Sequence, residues 1–285
     1  MPLASTGKLV TEARAGHRGI AAFNVITLEH AEAVTAGAEA ARAPVILQIS
    51  QNAVKFHRHQ LRPIAAGAAE IAHAAAVPVA LHLDHVQDTA LLHQAAGTGI
   101  SSVMFDAAAL DYAANVGATR AAAEWAHAHG LWLEAELGEI GGKDGAHAPH
   151  VRTDPAEAAA YTAATGVDAL AVAVGSSHAM TSQTARLDQD LIGRLAEAVP
   201  VPLVLHGSSG VPGAELALAV RHGIVKVNIG TAVNVELTGA IREWLSANPG
   251  AVDPRRYLAP ARDRIAAAVT RLVTVVGAAD AGVPA

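Results

Sequence analysis

Histidines, carboxylates and glycines stand at the ends of short apolar runs throughout this 285-residue sequence. Asn24, Ser50, Asp84 with His85, Asp106, Glu136, His206, and Asn228 with Thr231 each lie at or just past the end of such a run. His178 follows another run after a Gly-Ser-Ser turn. Three histidines from three runs, His85, His178 and His206, are neutral nitrogen donors of the kind a divalent metal takes, leaving a position open for substrate. Asp84, Asp106 and Glu136 are carboxylates able to orient such ligands or move protons. The stretches GSSG (207–210) and NIGT (228–231) set glycine beside hydroxyl and amide groups, a pattern suited to cradling phosphate with backbone N–H groups. No short local ligand motif is present, so this chemistry exists only if the fold gathers the run ends.

The runs themselves supply that fold. They cover 20–25, 44–50, 77–84, 101–106, 131–137, 168–175, 201–207 and 224–230. Each has a strand's length, several are rich in Val, Ile and Leu, and most lie close to Gly or Pro. Alanine-rich stretches with apolar faces, such as 28–43 and 59–76, separate them and read as helices. Asp154, Pro155 and Glu157 mark one helix start as a capping box with proline in the first turn. Strand–helix units repeated in this way predict an α/β protein, a parallel (β/α)8 TIM barrel, formed as one domain over 1–285. In such a barrel the C-terminal strand ends form one face, where active sites are built, and phosphate commonly binds after the last two strands.

Composition excludes other classes. There is no cysteine, so no disulfide scaffold, zinc-thiolate site or thiol nucleophile exists. A net charge of −6 argues against nucleic acid as a partner, and few aromatic rings are available to stack on bases. No apolar run approaches the ~18 residues needed to span a membrane. The N-terminus lacks a basic region followed by an apolar stretch, so no signal peptide is read and a cytoplasmic location is expected.

The motifs HLDH (82–85), VMFDA (103–107), EAELGxxGG (134–142), AVAVGSSH (171–178), LHGSSG (205–210), KVNIGT (226–231) and DPR (253–255) resemble those of the class II, zinc-dependent ketose-bisphosphate aldolases. The resemblance runs in fixed order over nearly the whole chain. In length, and in Gly230 where one fructose-type branch carries aspartate, the sequence is more similar to the tagatose-bisphosphate branch. It implies reversible cleavage of a phosphorylated ketose to dihydroxyacetone phosphate and an aldehyde through an enediolate stabilised by Zn²⁺.

The same resemblance implies roles. His85, His178 and His206 would hold the Zn²⁺, with Asp106 and Glu136 at acidic positions that accompany the metal. Asp84 would exchange a proton with the aldehyde-derived oxygen. Gly207, Ser209, Asn228 and Thr231 would cradle the dihydroxyacetone phosphate group, with Asn24 beside the substrate. Ser50 and Arg255 would serve the distal phosphate, the arginine arriving from a neighbouring subunit, which implies a homodimer or homotetramer. A monovalent cation is a further cofactor to test.

Four departures from the family pattern bear on substrate. The loop after the fifth strand is shortened and lacks the expected base glutamate. Asp144 is its nearest substitute, ahead of Lys143 and His147. Ala179 replaces a glycine whose backbone N–H contacts substrate, Gln183 replaces a lysine, and Val86 replaces a glycine. These departures keep two alternatives open: an aldolase for a different phosphorylated sugar or sugar acid, and a sugar-phosphate-binding member without catalysis.

The chain has 15 histidines, and most need no such role. His57, His59, His73, His93, His127, His129 and His222 fall on predicted helices or their ends. His147 and His150 are expected to be ordinary loop residues. Strand alternation puts His82 on the same side as Asp84, inside the barrel. Lys226 and Asp168 are expected to be pairing charges.

Overall fold

A computed structural model describes residues 3–137, 151–177 and 180–278. Eight strands form the barrel: β2 (Ile20–Asn24), β3 (Val45–Ser50), β4 (Val79–Val86), β5 (Ser102–Phe105), β6 (Trp132–Glu136), β7 (Ala169–Ala171), β8 (Leu203–Leu205) and β9 (Ile224–Ile229). Each pairs in parallel with the next, and β9 pairs back onto β2 with Ile20 opposite Lys226, closing the cylinder. A short β1 (Leu3–Ala4) lies beside the start of β4. All eight expected strands are present, β7 and β8 as three-residue cores.

Two packed layers hold the barrel. Outside, strand residues such as Leu47, Leu81, Val103 and Leu133 meet the helices in one continuous core. Inside, at the N-terminal end, Ile20, Ala22, Ile46 and Ala80 pack against Leu9, Val10 and Ala13 of the helix Thr6–Ala15. That helix covers the bottom of the barrel, so the interior opens only where the strands end. The helices expected at 28–43 and 59–76 run Leu28–Ala41 and Leu61–Ala74. Asp154 caps the helix Pro155–Thr165 as expected, accepting from the backbone N–H groups of Ala156 and Glu157. The long helix Pro254–Gly277 packs across Leu28–Ala41, and Gly37 permits the approach: a Cβ there would lie 2.6 Å from the Ala266 carbonyl oxygen.

One irregularity in β4 matters for the site. Leu83 pairs with Val103 but Val86 pairs with Phe105, so three steps on β4 oppose two on β5. Such a bulge is the ordinary way a strand re-aims a side chain. His85 occupies it with φ 49°, a left-handed conformation that costs a non-glycine residue about 1 kcal/mol or more.

Candidate active site

The barrel interior carries its polar groups in pairs two residues apart, as strand alternation requires of residues sharing one face. His82 and Asp84 come from β4, Glu134 and Glu136 from β6, and Lys226 and Asn228 from β9, all buried. His206, just past β8, is buried among them. Lys226 Nζ donates to Glu134 Oε2 and to Asn228 Oδ1, each at 2.7 Å. Glu134 Oε1 lies 2.9 Å from His206 Nε2, and Glu136 Oε2 lies 3.4 Å from His206 Nδ1. Asn228 Nδ2 donates to Asp84 Oδ1 at 3.4 Å.

In a regular strand Asp84 and His85 would point to opposite faces. The bulge overcomes this, and one ligand atom each from Asp84, His85 and His206 lies within 4.8 Å of the others. The His85 and His206 rings meet edge-on with centroids 4.9 Å apart. Asp106 Oδ2 holds His85 Nδ1 at 3.1 Å. Two imidazoles, each braced by a further carboxylate, with the Asp84 carboxylate close by, suit a divalent cation.

Electrostatics favour a cation as well. Burial works against the charged form of His206, yet the Glu134 and Glu136 carboxylates override it and push the ring up to about 10. Burial likewise opposes ionisation of Asp84, but His85, with His206 and Lys226, holds it below the usual carboxylate range. Burial also opposes the charged form of His85, whose pKa Asp84 and Asp106 nonetheless raise. His82 goes the other way: burial and Lys226 push it down to about 3, leaving it a neutral neighbour whose Nδ1 lies 2.7 Å from Ser102 Oγ. Four carboxylates (Asp84, Asp106, Glu134, Glu136) thus stand around Lys226 and two histidines, His85 and His206, whose protons they favour. A metal ion would take the place of the protons that these carboxylates draw onto His85 and His206.

Above this cluster opens a cavity of about 450 Å³. Asn24, Ser50, Asp84, His85, Asp106, Gly207, Ser209, Asn228, Gly230 and Thr231 line it, so the strand ends do converge. Glu136 and His206 lie buried beside it. Gly207 has φ 66°, and a Cβ there would sit 2.7 Å from the Ser177 carbonyl carbon, so glycine alone fits. Ser209 Oγ accepts from the Ala232 backbone N–H at 3.1 Å, joining the 207–210 turn to the helix Thr231–Ala247. Ser50 caps the short helix Gln51–Phe56. Gln48 Nε2 donates to Asn24 Oδ1. Arg255 lies elsewhere, exposed and paired with Asp253 through two donors. His178, Ala179 and Asp144 lie outside the described residues.

Glu134, Gln48, Lys55 and Asn234 were not singled out from sequence, yet the first braces His206 and the others line the cavity. The spacing of Glu134 from Glu136 was the available signal for the first. Lys226 and Asp168 are pairing charges as expected, Asp168 with His127 at 2.8 Å. His57 and His222 bond backbone carbonyls, and His93 and His129 flank Trp125, consistent with structural roles for them.

The model of the class-II fructose-bisphosphate aldolase family matches residues 4–281. A fructose-bisphosphate aldolase from Thermus caldophilus is 35% identical over 301 residues, covering 95% of this chain and 96% of that protein. The crystal structure of the YdjI aldolase from Escherichia coli K12 superposes with a TM-score of 0.83 at 29% identity, covering 97% of this chain and 98% of that one. Among the described residues no helix is long and apolar enough to cross a membrane. A closed parallel barrel, a cation-seeking cluster at its C-terminal end and these likenesses agree, and the chain belongs to the class-II fructose-bisphosphate aldolase family as an aldolase enzyme.

Proposed function

We propose that this aldolase is Zn²⁺-dependent and reversibly cleaves a phosphorylated ketose of the fructose or tagatose 1,6-bisphosphate type to dihydroxyacetone phosphate and an aldehyde. The supporting observation is the grouping of Asp84, His85 and His206 at the floor of a cavity whose wall includes Gly207, Ser209 and Thr231. His85 and His206, with His178 as third ligand, would hold a divalent cation, which would supply Lewis-acid polarisation of substrate oxygens.

The chain's own residues do the rest. Asp84 is ionised and buried beside Asn228, which suits it to take and return the proton on the aldehyde-derived oxygen. The turn at Gly207–Gly210 and the N-terminus of the helix Thr231–Ala247 present backbone N–H groups to a phosphate. Asp144 is assigned as the base that removes the dihydroxyacetone phosphate proton. Arg255, exposed and outside its own cavity, is assigned to the distal phosphate of a neighbouring copy, so a homodimer or homotetramer is expected. The protein is expected to work in the cytoplasm.

The test is a panel of phosphorylated ketoses and sugar acids assayed with and without chelator. Triose phosphate from fructose or tagatose bisphosphate, lost with chelator and restored by Zn²⁺, supports the reading. Turnover only of another phosphorylated sugar moves the aldehyde half, and no turnover with metal bound refutes catalysis.

A further inference from the structure

Asn234 stands on the cavity wall, one helical turn beyond Thr231. Behind it His30, buried in the first turn of the helix Leu28–Ala41, brings Nε2 to 3.2 Å from Asn234 Oδ1. The other ring nitrogen settles where the proton is. The Thr27 backbone N–H can only donate and meets His30 Nδ1 at 3.4 Å, closing a capping box, and the Thr27 hydroxyl, 3.1 Å from the same nitrogen, can donate to it too. With a fixed donor at Nδ1 and the Asn234 carbonyl oxygen 3.2 Å from Nε2, the neutral ring carries its proton on Nε2. Burial keeps the ring neutral by lowering its pKa.

An Nε2–H donor requires an acceptor opposite it, so the carbonyl oxygen of Asn234, not its nitrogen, faces His30. The amide can turn no other way without setting donor against donor. Both N–H groups of Nδ2 are then directed away from His30, and among the described residues they meet no acceptor. A donor pair left over on a cavity wall gains most by bonding a ligand oxygen, above all a charged one.

We propose that Asn234 is a specificity-determining residue, held by His30 as a positioning residue, whose amide N–H groups donate to an oxygen of the phosphorylated substrate. This rests on the phosphorylated-ketose reading of the cavity. It explains why a buried histidine sits on a helix that contributes nothing to the metal cluster: its tautomer selects which end of Asn234 the substrate meets.

The test uses the metal-loaded protein and a hexitol 1,6-bisphosphate, the reduced and uncleavable form of the ketose, titrated calorimetrically beside steady-state kinetics. Asn234→Asp, nearly isosteric, replaces the donor with a carboxylate oxygen. It should weaken hexitol bisphosphate binding and raise KM by about tenfold or more, with kcat within about threefold. His30→Phe should weaken binding in the same direction. His30→Gln, whose amide N–H can still reach Asn234 Oδ1, should recover most of the loss. Unchanged binding in Asn234→Asp overturns the proposal, as does a His30→Gln variant as impaired as His30→Phe. A wild-type protein that binds the hexitol bisphosphate but cleaves no ketose defeats the catalytic reading alone, and the binding comparison still decides this one. Absence of wild-type binding overturns both.

Discussion

Glu134 Oε1 lies 2.9 Å from His206 Nε2 while its other oxygen accepts from Lys226 Nζ at 2.7 Å, and all three side chains are buried. Glu134 thus fixes the ring of His206 and leaves Nδ1 as the nitrogen on the side of Glu136. Carboxylates behind a metal-binding histidine set its orientation and basicity. Glu134→Gln should therefore lower divalent-metal affinity by about 10–100-fold. Metal content after dialysis against a graded chelator series would measure this, and unchanged affinity would show that Glu134 does not brace the ring.

Lys226 Nζ meets that carboxylate at 2.7 Å inside the barrel, on the oxygen that His206 does not hold. Burial favours a neutral Glu134, but Lys226 and His206 override it and hold its pKa well below the usual range. Lys226→Met removes one of the two partners of the enclosed Glu134 charge and leaves only His206, so a loss of about 3 kcal/mol is expected. Chemical denaturation with an unchanged slope and a lower midpoint would confirm it. A loss below about 1 kcal/mol would mean that water or a metal ion compensates.

Asp84→Asn keeps the shape of the side chain and removes its proton acceptor. The expected result is a fall in kcat of about 10²–10⁴-fold while the protein still takes up metal. His206→Ala should instead empty the metal site, and wild-type activity in that variant would refute the ligand assignment.

Gly207→Ala tests the phosphate turn. The residue would be left-handed at φ 66°, with its new Cβ 2.7 Å from the Ser177 backbone. A cost of about 1–3 kcal/mol and a raised KM for phosphorylated substrate are expected, with metal content unchanged. A KM equal to wild type would separate this turn from substrate binding.

His30 gives the protein a pH dependence apart from the metal cluster. Burial, opposed by its bond to Asn234 and by Glu29, holds its folded pKa below the ordinary value of 6.5. Below pH 6.5 the unfolded chain therefore binds a proton that the native state refuses. Stability from this residue is full above that pH and is lost as pH falls towards the folded value. Thermal melting between about pH 7.5 and about pH 5.5 should fall less steeply in His30→Gln than in wild type. Identical slopes would place the proton uptake elsewhere.

Much of this was legible in the chain before folding. Strand cores such as Val45–Ser50 and Ile224–Ile229 declare themselves by local apolar pattern, and the Asp154 cap by three neighbouring residues. The polar residues at strand ends follow, because parallel strands joined by helices must finish on one face. Periodicity also places His82 and Asp84 on one side.

The rest required tertiary contacts. Alternation separates Asp84 from His85, and only the bulge against β5 brings both ligand atoms beside His206. Glu134 meets Lys226 across 92 positions of sequence, and His30 meets Asn234 across 204. No local pattern encodes such pairs, since they depend on which strands and helices become neighbours when the barrel closes. Sequence determined the face on which chemistry occurs, because side-chain direction along a strand is a local property. Closure decided which charges touch, because register and the bulge set distances of a few ångströms that pattern alone leaves free.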